Sequence, residues 1–323
     1  MFVLGLQGSP RKKGNTSALI SAFLDQAEKF GADTKYIDVP EKKISPCIGC
    51  GTCEKKGFCP IKDDMQEIYF QIWRADIIVM GTPVFFYGPT AQLKLLIDRS
   101  QALWSRRYLH KLMDPLGKWR KGLVLSPGAT KGGNLFEGVS LTAKYFFDAL
   151  GANFEGVVGY RGIEGPGEIK EHPTALDDVK EKASVMVSEL MKRKRILFIC
   201  IENACRSQMA TAFAQHMAGD IIEAESAGSA PAREINPVVM EVMAEKGIDM
   251  AYRRPKSMEK AVTHFRPDLI VSMGCGEECP LLPGVLNEEW GLEDPADKPV
   301  EFVRRIRDEI EKRVRELVFS PLP

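Results

Sequence analysis

The chain has 323 residues, with Lys+Arg and Asp+Glu both at 44, so its formal net charge at pH 7 is zero. Hydrophobic residues make up 44% of the sequence and charged residues 27%, which is typical of a soluble globular protein. The balanced charge excludes a general attraction to nucleic acid or to membranes, and the length predicts two domains.

The first residues are apolar only briefly and then turn basic and glycine-rich, which is the reverse of a secretory leader. No apolar run approaches the ~18 residues that a membrane span needs. We therefore expect a cytoplasmic protein without nucleic-acid or membrane partners. In such a protein, eight cysteines indicate redox or metal chemistry before structural disulfides.

Apolar strands alternate with helix-period segments in the first part of the chain, which predicts a parallel, doubly wound α/β sheet. The predicted strands are Phe2–Gln7, Ile77–Gly81, 122–126 and 154–158. The predicted helices are 18–30, 63–74, 89–98, 135–150 and 175–192, and loops are expected at 114–120 and 162–173.

The same alternation starts again after a basic stretch near residues 191–194, so we expect domains at 1–192 and 193–323. Strands are predicted at 196–200, 221–226 and 269–273, and helices at 207–218, 237–246 and 300–318. Each domain then opens with a strand, a loop and a helix, and each is expected to be a doubly wound parallel sheet.

The loop after the first strand is rich in small polar residues, which suit a phosphate held at the start of a helix. Its pattern is neither G-x-G-x-x-G nor G-x-x-x-x-G-K-[ST], so a phosphomonoester such as that of FMN fits better than a dinucleotide. A capped loop without ligand is the alternative. The candidate cofactor-binding residues are Ser9, Arg11, Asn15, Thr16 and Ser17.

A second candidate cofactor segment follows the Ile77–Gly81 strand, at the edge where doubly wound sheets bind ligands. Its aromatic side chains offer flat surface for an isoalloxazine ring, although core packing or a subunit contact would use them too. The candidate residues are Pro83, Val84, Phe85, Phe86, Tyr87 and Gly88.

Four cysteines follow the pattern C-x2-C-x2-C-x5-C, which lets one loop surround a cluster. Four thiolates are the ligand set of a [4Fe–4S] cluster, and the spacing resembles the bacterial cluster pattern with a longer last gap. Structural zinc is the main alternative, and unligated thiols are the other. The candidate metal ligands are Cys47, Cys50, Cys53 and Cys59.

Three segments together, "LGLQGSPRKKGNTSALI", "PCIGCGTCEKKGFCPIKDDM" and "GTPVFFYGPTAQLKLLIDR", resemble the flavodoxin-like NAD(P)H-dependent FMN reductases, specifically the iron–sulfur flavoproteins. The resemblance covers roughly residues 1–190. It implies a flavodoxin-like fold, FMN in the two loops, and a homo-oligomer with flavins near subunit interfaces. The electron donor is then NAD(P)H or a ferredoxin-like protein.

The stretch "ILFICIENACRSQMATAF" places Cys200 at the end of a strand and Arg206 and Ser207 at the start of a helix, in a C-x5-R-S pattern. A helix N-terminus and a guanidinium favour both a thiolate and a tetrahedral oxyanion. Ser207 can bond the sulfur or cap the helix, and Asn203 can hold the shape of the loop. The pattern predicts a nucleophilic cysteine beneath a bound oxyanion.

C-x5-R-S alone indicates a low-molecular-weight tyrosine phosphatase, but Cys275 and Cys279 after a later strand are of no use to a phosphatase. They suit an enzyme that releases its product by reduction. Asp294, followed by Pro295, is a carboxylate suited to protonate a leaving oxygen.

The segments "CIENACRSQMA", "SAGS", "MGCGEECP" and "EDPADK" resemble the thiol-dependent arsenate reductases that share the low-molecular-weight phosphatase fold. Thr211 stands where relatives often have an acidic residue, which puts a cation site there in doubt. The resemblance implies that arsenate is reduced by a relay through Cys200, Cys275 and Cys279, with Cys205 as a less favoured resolving thiol. The fused flavin domain is then expected to reduce the resulting disulfide.

Two other functions are open at this stage. The chain could be a tyrosine phosphatase under redox control, or a thiol and flavin sensor of oxidants. Ala296 follows Asp294-Pro295 where a phosphatase of this family usually has tyrosine, which argues against an aromatic-substrate pocket.

Overall fold

The computed structural model describes residues 1–274 and 282–319, so Cys275 and Cys279 lie outside the described residues. The chain divides into two compact units. The first unit comprises Met1–Lys111 with Gly117–Met191, and the second comprises Leu112–Leu116 with Lys192–Pro323.

The first unit contains one five-stranded sheet in which all strands are parallel, in the order β2-β1-β3-β4-β5. Its strands are β1 Phe2–Gln7, β2 Asp33–Asp38, β3 Ile77–Gly81, β4 Lys121–Gly128 and β5 Asn153–Arg161. Its helices are α1 Asn15–Lys29, α2 Thr52–Lys56, α3 Met65–Arg74, α4 Ala91–Arg99, α5 Gln101–Tyr108, α6 Glu137–Ala149 and α7 Ala175–Leu190. Short 3₁₀ turns lie at Val39–Glu41 and Glu168–Lys170.

The central strands β1 and β3 are buried along their whole length, which explains their continuous apolar sequences. Because successive side chains point to opposite faces, Val3, Ile77 and Val79 share one core with α1 and α7. The carboxyl ends of β1, β3 and β4 therefore meet at one edge of the sheet, where the loops after them come together.

The second unit contains a four-stranded sheet of parallel strands in the order β7-β6-β8-β9. Its strands are β6 Lys194–Cys200, β7 Ile222–Gly228, β8 Leu269–Ser272 and β9 Leu286–Glu289. Its helices are α8 Arg206–Ala218, α9 Pro237–Ala244, α10 Met258–His264 and α11 Val300–Phe319.

Both faces of this sheet are covered by helices. Ile196 and Phe198 pack into a core with α8, α9 and α11, while Leu197 and Ile199 pack with Ala261 of α10 and with Phe265 just after it. The alternation along β6 thus divides its side chains between two cores, and Cys200 at its end belongs to the larger one.

The predicted fold class, two doubly wound parallel sheets, is confirmed. The elements that the sequence did not indicate include the outer strands β2 and β9, whose sequences DTKYID and LNEE are mostly polar. All of β9 is exposed, and β2 is only partly buried. The predicted helix over 89–98 continues after Arg99 into α5, and α10 was not predicted. No helix among the described residues is both long and apolar enough to cross a bilayer.

We expect Arg120→Leu to destabilise the first unit. The Arg120 side chain is 1% exposed and donates to the carbonyl oxygens of Trp73, Ala75 and Leu150 at 2.8–3.0 Å. Leaving those buried acceptors without this donor costs about 3 kcal/mol or more. Arg107→Leu, which removes a half-exposed ion pair, is the control and costs at most about 1 kcal/mol. Urea midpoints with hydrogen exchange of peptides from β1 and β3 measure both, and equal midpoints would contradict the expectation.

Candidate functional site

The loop between β6 and α8 has its carbonyl oxygens turned to one side. The carbonyls of Cys200, Ile201, Glu202 and Ala204 accept hydrogen bonds of 2.8–3.3 Å from backbone N–H groups in residues 229–236. In a planar trans peptide the N–H points opposite to the C=O. The N–H groups that share these peptide planes therefore point away from residues 229–236, an arrangement that suits an anion at the start of α8.

Two residues shape this loop. Asn203 has φ of 52°, in the left-handed region, and is fully buried. Its side-chain Nδ2 donates to Ser207 Oγ at 2.9 Å, and its Oδ1 accepts from the backbone N–H of Lys256 at 2.9 Å. A Cβ on Gly228 would lie 2.4 Å from the carbonyl oxygen of Ile201, so only glycine lets β7 pass this close to the loop.

The Cys200 thiol and the Arg206 guanidinium stand at the two ends of the loop and contact different groups. Cys200 is 2% exposed, and its Sγ lies 3.0 Å from Ser207 Oγ. Arg206, 4% exposed, donates from Nη1 to the carbonyl of Leu292 at 2.9 Å and from Nη2 to Asp294 Oδ2 at 2.6 Å. The structure thus brings together Cys200, Asn203, Arg206, Ser207 and Asp294 from the predicted set. Leu292 and Lys256 were not predicted, because no local pattern marks a residue whose backbone makes the contact.

Cys205 differs from Cys200 in its electrostatic surroundings. It is 5% exposed, and burial, reinforced by Asp294, raises the pKa of its thiol to about 12. It therefore stays protonated at neutral pH, whereas the thiolate is the nucleophile. This makes Cys205 a poor attacking group.

The predicted cofactor loops meet in an open cleft of about 630 Å³ at the carboxyl edge of the first sheet. Ser9, Arg11, Asn15, Thr16, Pro83, Val84 and Phe85 line it, together with the unpredicted Pro10, Pro127, Gly128, Ala129, Ile163 and Glu164. Pro127 and Gly128 are the last residues of β4 and Ala129 follows it, so the rule that ligands bind at the carboxyl ends of strands would have found them.

The remaining predicted cofactor residues lie outside this lining. Ser17 Oγ donates to the carbonyl of Gly14 at 2.9 Å, and Phe86 is fully exposed. Tyr87 and Gly88 are not among the lining residues either. Asn15 bonds Gly165 and Ile169, so its side chain braces the loop after β5. Ser9 Oγ accepts from the N–H of Arg11, which leaves its hydroxyl hydrogen free to donate.

The four cysteines of the C-x2-C-x2-C-x5-C loop, Cys47, Cys50, Cys53 and Cys59, line a single cavity with Arg99. The hydroxyl of Thr52 lies 3.3 Å from Cys50 Sγ, and this hydrogen bond lowers the pKa of the thiol. Side chains of α4 and α5 hold the loop: Arg99 pairs with Asp63 at 2.6 Å, and Arg106 donates to the carbonyl of Gly57 at 3.2 Å.

The arrangement of these thiols bears on the kind of metal they could hold. Within residues 1–274 and 282–319, no group of three or more His, Cys, Asp or Glu side chains is placed to hold one metal ion. Zinc requires four ligands converging on one ion, whereas a [4Fe–4S] cubane takes one thiolate on each iron. The four thiols match the number that a [4Fe–4S] cluster takes.

Residues 1–134 match the NADPH-dependent FMN reductase family, and residues 195–321 match the low molecular weight phosphotyrosine protein phosphatase family. An iron–sulfur flavoprotein of Methanosarcina thermophila is 33% identical over 202 residues, covering 60% of this chain and 99% of that protein. Arsenate reductase 2 of Staphylococcus epidermidis is 38% identical over 127 residues, covering 38% of this chain and 95% of that protein.

The chain belongs to both families, joined in that order. An iron–sulfur flavoprotein of Methanocaldococcus jannaschii is 46% identical over 103 residues, which are 32% of this chain and 53% of that protein. The chain therefore spans about half the length of this relative. The iron–sulfur flavoprotein part corresponds to the first sheet, and the part similar to arsenate reductases contains the Cys200 loop.

We expect Gly228→Ala to weaken oxyanion binding. The added methyl group would overlap the carbonyl of Ile201 and the backbone N of Asn203, and so would displace the loop. Overpacking of this kind costs about 1–3 kcal/mol, which would raise the dissociation constant roughly 5- to 150-fold if all of it falls on binding.

Calorimetric titration with inorganic phosphate measures this effect. Gly291→Ala is the matched control, because a Cβ there meets no atom within 4 Å. Wild-type phosphate affinity in Gly228→Ala would show that the loop does not form the anion site.

Proposed function

We propose that the second unit reduces arsenate to arsenite and that the first unit supplies the electrons. The observation that carries the proposal is the buried Cys200 Sγ, 3.0 Å from Ser207 Oγ, in a loop that ends at Arg206. The names of the relatives support it, since proteins called arsenate reductases match the second part and FMN reductases and iron–sulfur flavoproteins match the first.

Arsenate binding begins at Arg206. Its guanidinium holds the Asp294 carboxylate at 2.6 Å, and a bound oxyanion competes for the same planar fork. Exchange of one anion for the other leaves Asp294 beside the oxyanion rather than on the arginine. The Asp294 carboxylate, with its side chain 48% exposed, is then placed to take a proton from one hydroxyl of the bound dihydrogen arsenate and pass it to the departing oxygen.

The chemistry requires three thiols. The Cys200 thiolate attacks arsenic, and the protonated oxygen leaves as water. Cys275 attacks the Cys200 sulfur, the S–As bond breaks with its electron pair on arsenic, and arsenite leaves. The new Cys200–Cys275 disulfide has supplied the two electrons. Cys279 then attacks Cys275, which frees Cys200 as a thiolate.

Cys275 and Cys279 lie outside the described residues, so their part rests on the sequence. One neighbouring observation supports it: the described chain reaches Gly274 close to Arg206, whose Nη1 is 3.0 Å from the position of a Cβ on that glycine. The residue before Cys275 is therefore at the oxyanion arginine.

In the first unit, the cleft lined by Ser9, Thr16 and Phe85 fits FMN, because hydroxyls and the start of α1 suit a phosphate and the aromatic ring suits a flat ligand. The cysteine cavity fits a [4Fe–4S] cluster. When bound, the cluster supplies single electrons and the flavin supplies them in pairs, which matches a disulfide that needs two. NAD(P)H or a ferredoxin-like protein is the donor.

Phosphatase activity is the competing function, since the second part belongs to a phosphatase family. Ala296 follows Pro295 and offers no aromatic wall, and its N–H bonds Asp294 Oδ1 at 3.0 Å. Turnover of an aryl phosphate faster than arsenate would favour the phosphatase.

We expect Cys279→Ser to release at most one arsenite per active site, because the Cys200–Cys275 disulfide cannot be passed on. Cys205→Ala is the matched control and should keep its turnover within about threefold, since the thiol is buried and protonated. Arsenite is counted by mass spectrometry without added thiols. Steady turnover in Cys279→Ser would contradict the relay.

The supply of electrons has a separate test. Protein reduced anaerobically, by NAD(P)H or by reduced ferredoxin, should recover its oxidised flavin absorbance when arsenate is added. Cys200→Ser should stay reduced, because no disulfide forms to accept electrons. A wild-type protein that also stays reduced would show that the first unit does not serve the second.

A further inference from the structure

A continuous row of side-chain hydrogen bonds runs inside the second unit from Arg253 to the nucleophile. Arg253 Nη1 donates to Gln208 Oε1 at 3.4 Å, and Gln208 Nε2 donates to Asn203 Oδ1 at 3.1 Å. Asn203 Nδ2 then donates to Ser207 Oγ at 2.9 Å, and Ser207 Oγ lies 3.0 Å from Cys200 Sγ. Five side chains from two separate parts of the sequence thus form one connected path.

The direction of every bond in this row follows from its far end. A guanidinium has donors only, so Gln208 must turn its oxygen to Arg253 and its NH2 group to Asn203. Asn203 in turn must present its oxygen to Gln208 and its NH2 group to Ser207. Because the Ser207 oxygen accepts from Asn203, its own hydrogen is free to point at the Cys200 sulfur. A hydrogen bond donated to a sulfur favours the charged thiolate.

The part of the row between Gln208 and Cys200 is sealed from solvent, so water cannot reverse its hydrogen bonds. Asn203 and Ser207 are 0% exposed and Gln208 is 2% exposed. Burial lowers the pKa of Arg253 to about 10, so the side chain is still charged at neutral pH. The charged groups around it are Asp114, Glu225 and Asp249, which favour its charged form, and Lys256, which pairs with Glu225.

We propose that Arg253 is a positioning residue that orients the Gln208, Asn203 and Ser207 side chains so that Ser207 donates to Cys200. The backbone N–H of Lys256, which also donates to Asn203 Oδ1 at 2.9 Å, supports the same orientation from a second side. Gln215 accepts from the other side of the guanidinium and donates to the carbonyl of Ala224 at 3.0 Å, which anchors Arg253 without leading to Cys200.

Gln208→Glu tests the direction of the row. The new carboxylate still accepts a hydrogen bond from Arg253. Its other oxygen faces Asn203 Oδ1, which is also an acceptor, so the hydrogen bond between these two side chains is lost. We expect Cys200 to react with iodoacetamide at pH 7 about tenfold more slowly, since hydrogen bonds to a charged group are worth about 1.5–3 kcal/mol. The modified site is identified by peptide mass spectrometry. Gln215→Glu is the matched control, with the same new charge beside the same arginine, and should react within about twofold of wild type.

Arg253 itself is tested by two further variants. Arg253→Met should slow the alkylation of Cys200 at least about threefold, and Arg253→Lys, which keeps a group that can only donate, should restore it to within about twofold. Circular dichroism confirms that each variant is folded. A wild-type rate in folded Arg253→Met overturns the proposal, whatever Gln208→Glu does.

The inference rests on Cys200 as the nucleophile of the proposed function, but its readout does not use arsenate. If wild-type Cys200 is alkylated rapidly, the variants behave as expected and arsenate is not reduced, the proposed substrate is wrong and the role of Arg253 stands. If arsenate is reduced and Cys200 in Arg253→Met is alkylated at the wild-type rate, the proposed function stands and the role of Arg253 is wrong.

Discussion

The chemistry of the second unit depends on the orientation of the peptide groups between Cys200 and Ala204. An oxyanion beneath a helix needs donors, and a loop offers donors and acceptors in equal number. Backbone N–H groups between residues 229 and 236 bind the carbonyl oxygens of the loop. The N–H groups of the loop itself therefore point in the opposite direction. Gly228 permits the close approach, and the left-handed Asn203 makes the turn. The proposed anion site is therefore built by two strands and their loops, to which Arg206 adds a guanidinium.

The two units use the same place in the same kind of sheet for different purposes. In each, the candidate site lies in loops beyond the carboxyl ends of parallel strands. The first pocket offers hydroxyls and aromatic surface, which suit a ligand that stays bound. The second offers a thiol and a guanidinium, which suit a ligand that reacts and leaves. Under the proposed function, joining the two units places a supply of electrons and a consumer of electrons in one chain.

Two cysteines of one loop show how closely reactivity depends on surroundings. Cys200 contacts the Ser207 hydroxyl. The thiol of Cys205 stays protonated because burial, reinforced by Asp294, raises its pKa. In the row from Arg253 to Ser207 each donor named above has an acceptor, whereas Arg253 Nε is buried without a hydrogen-bond partner among the described residues.

The sequence by itself determined the two sheets, their central strands and the chemistry-bearing loops, because buried parallel strands and cysteine spacings are local patterns. It missed the outer strands β2 and β9, whose polar residues pair only because a neighbouring edge is available. Only the tertiary structure decided that Leu292 and Asp294 bind Arg206, that Pro127 joins the flavin cleft and that Arg253 reaches Cys200 through three side chains. These contacts join residues far apart along the chain, so their geometry depends on how the helices pack, which no local pattern records.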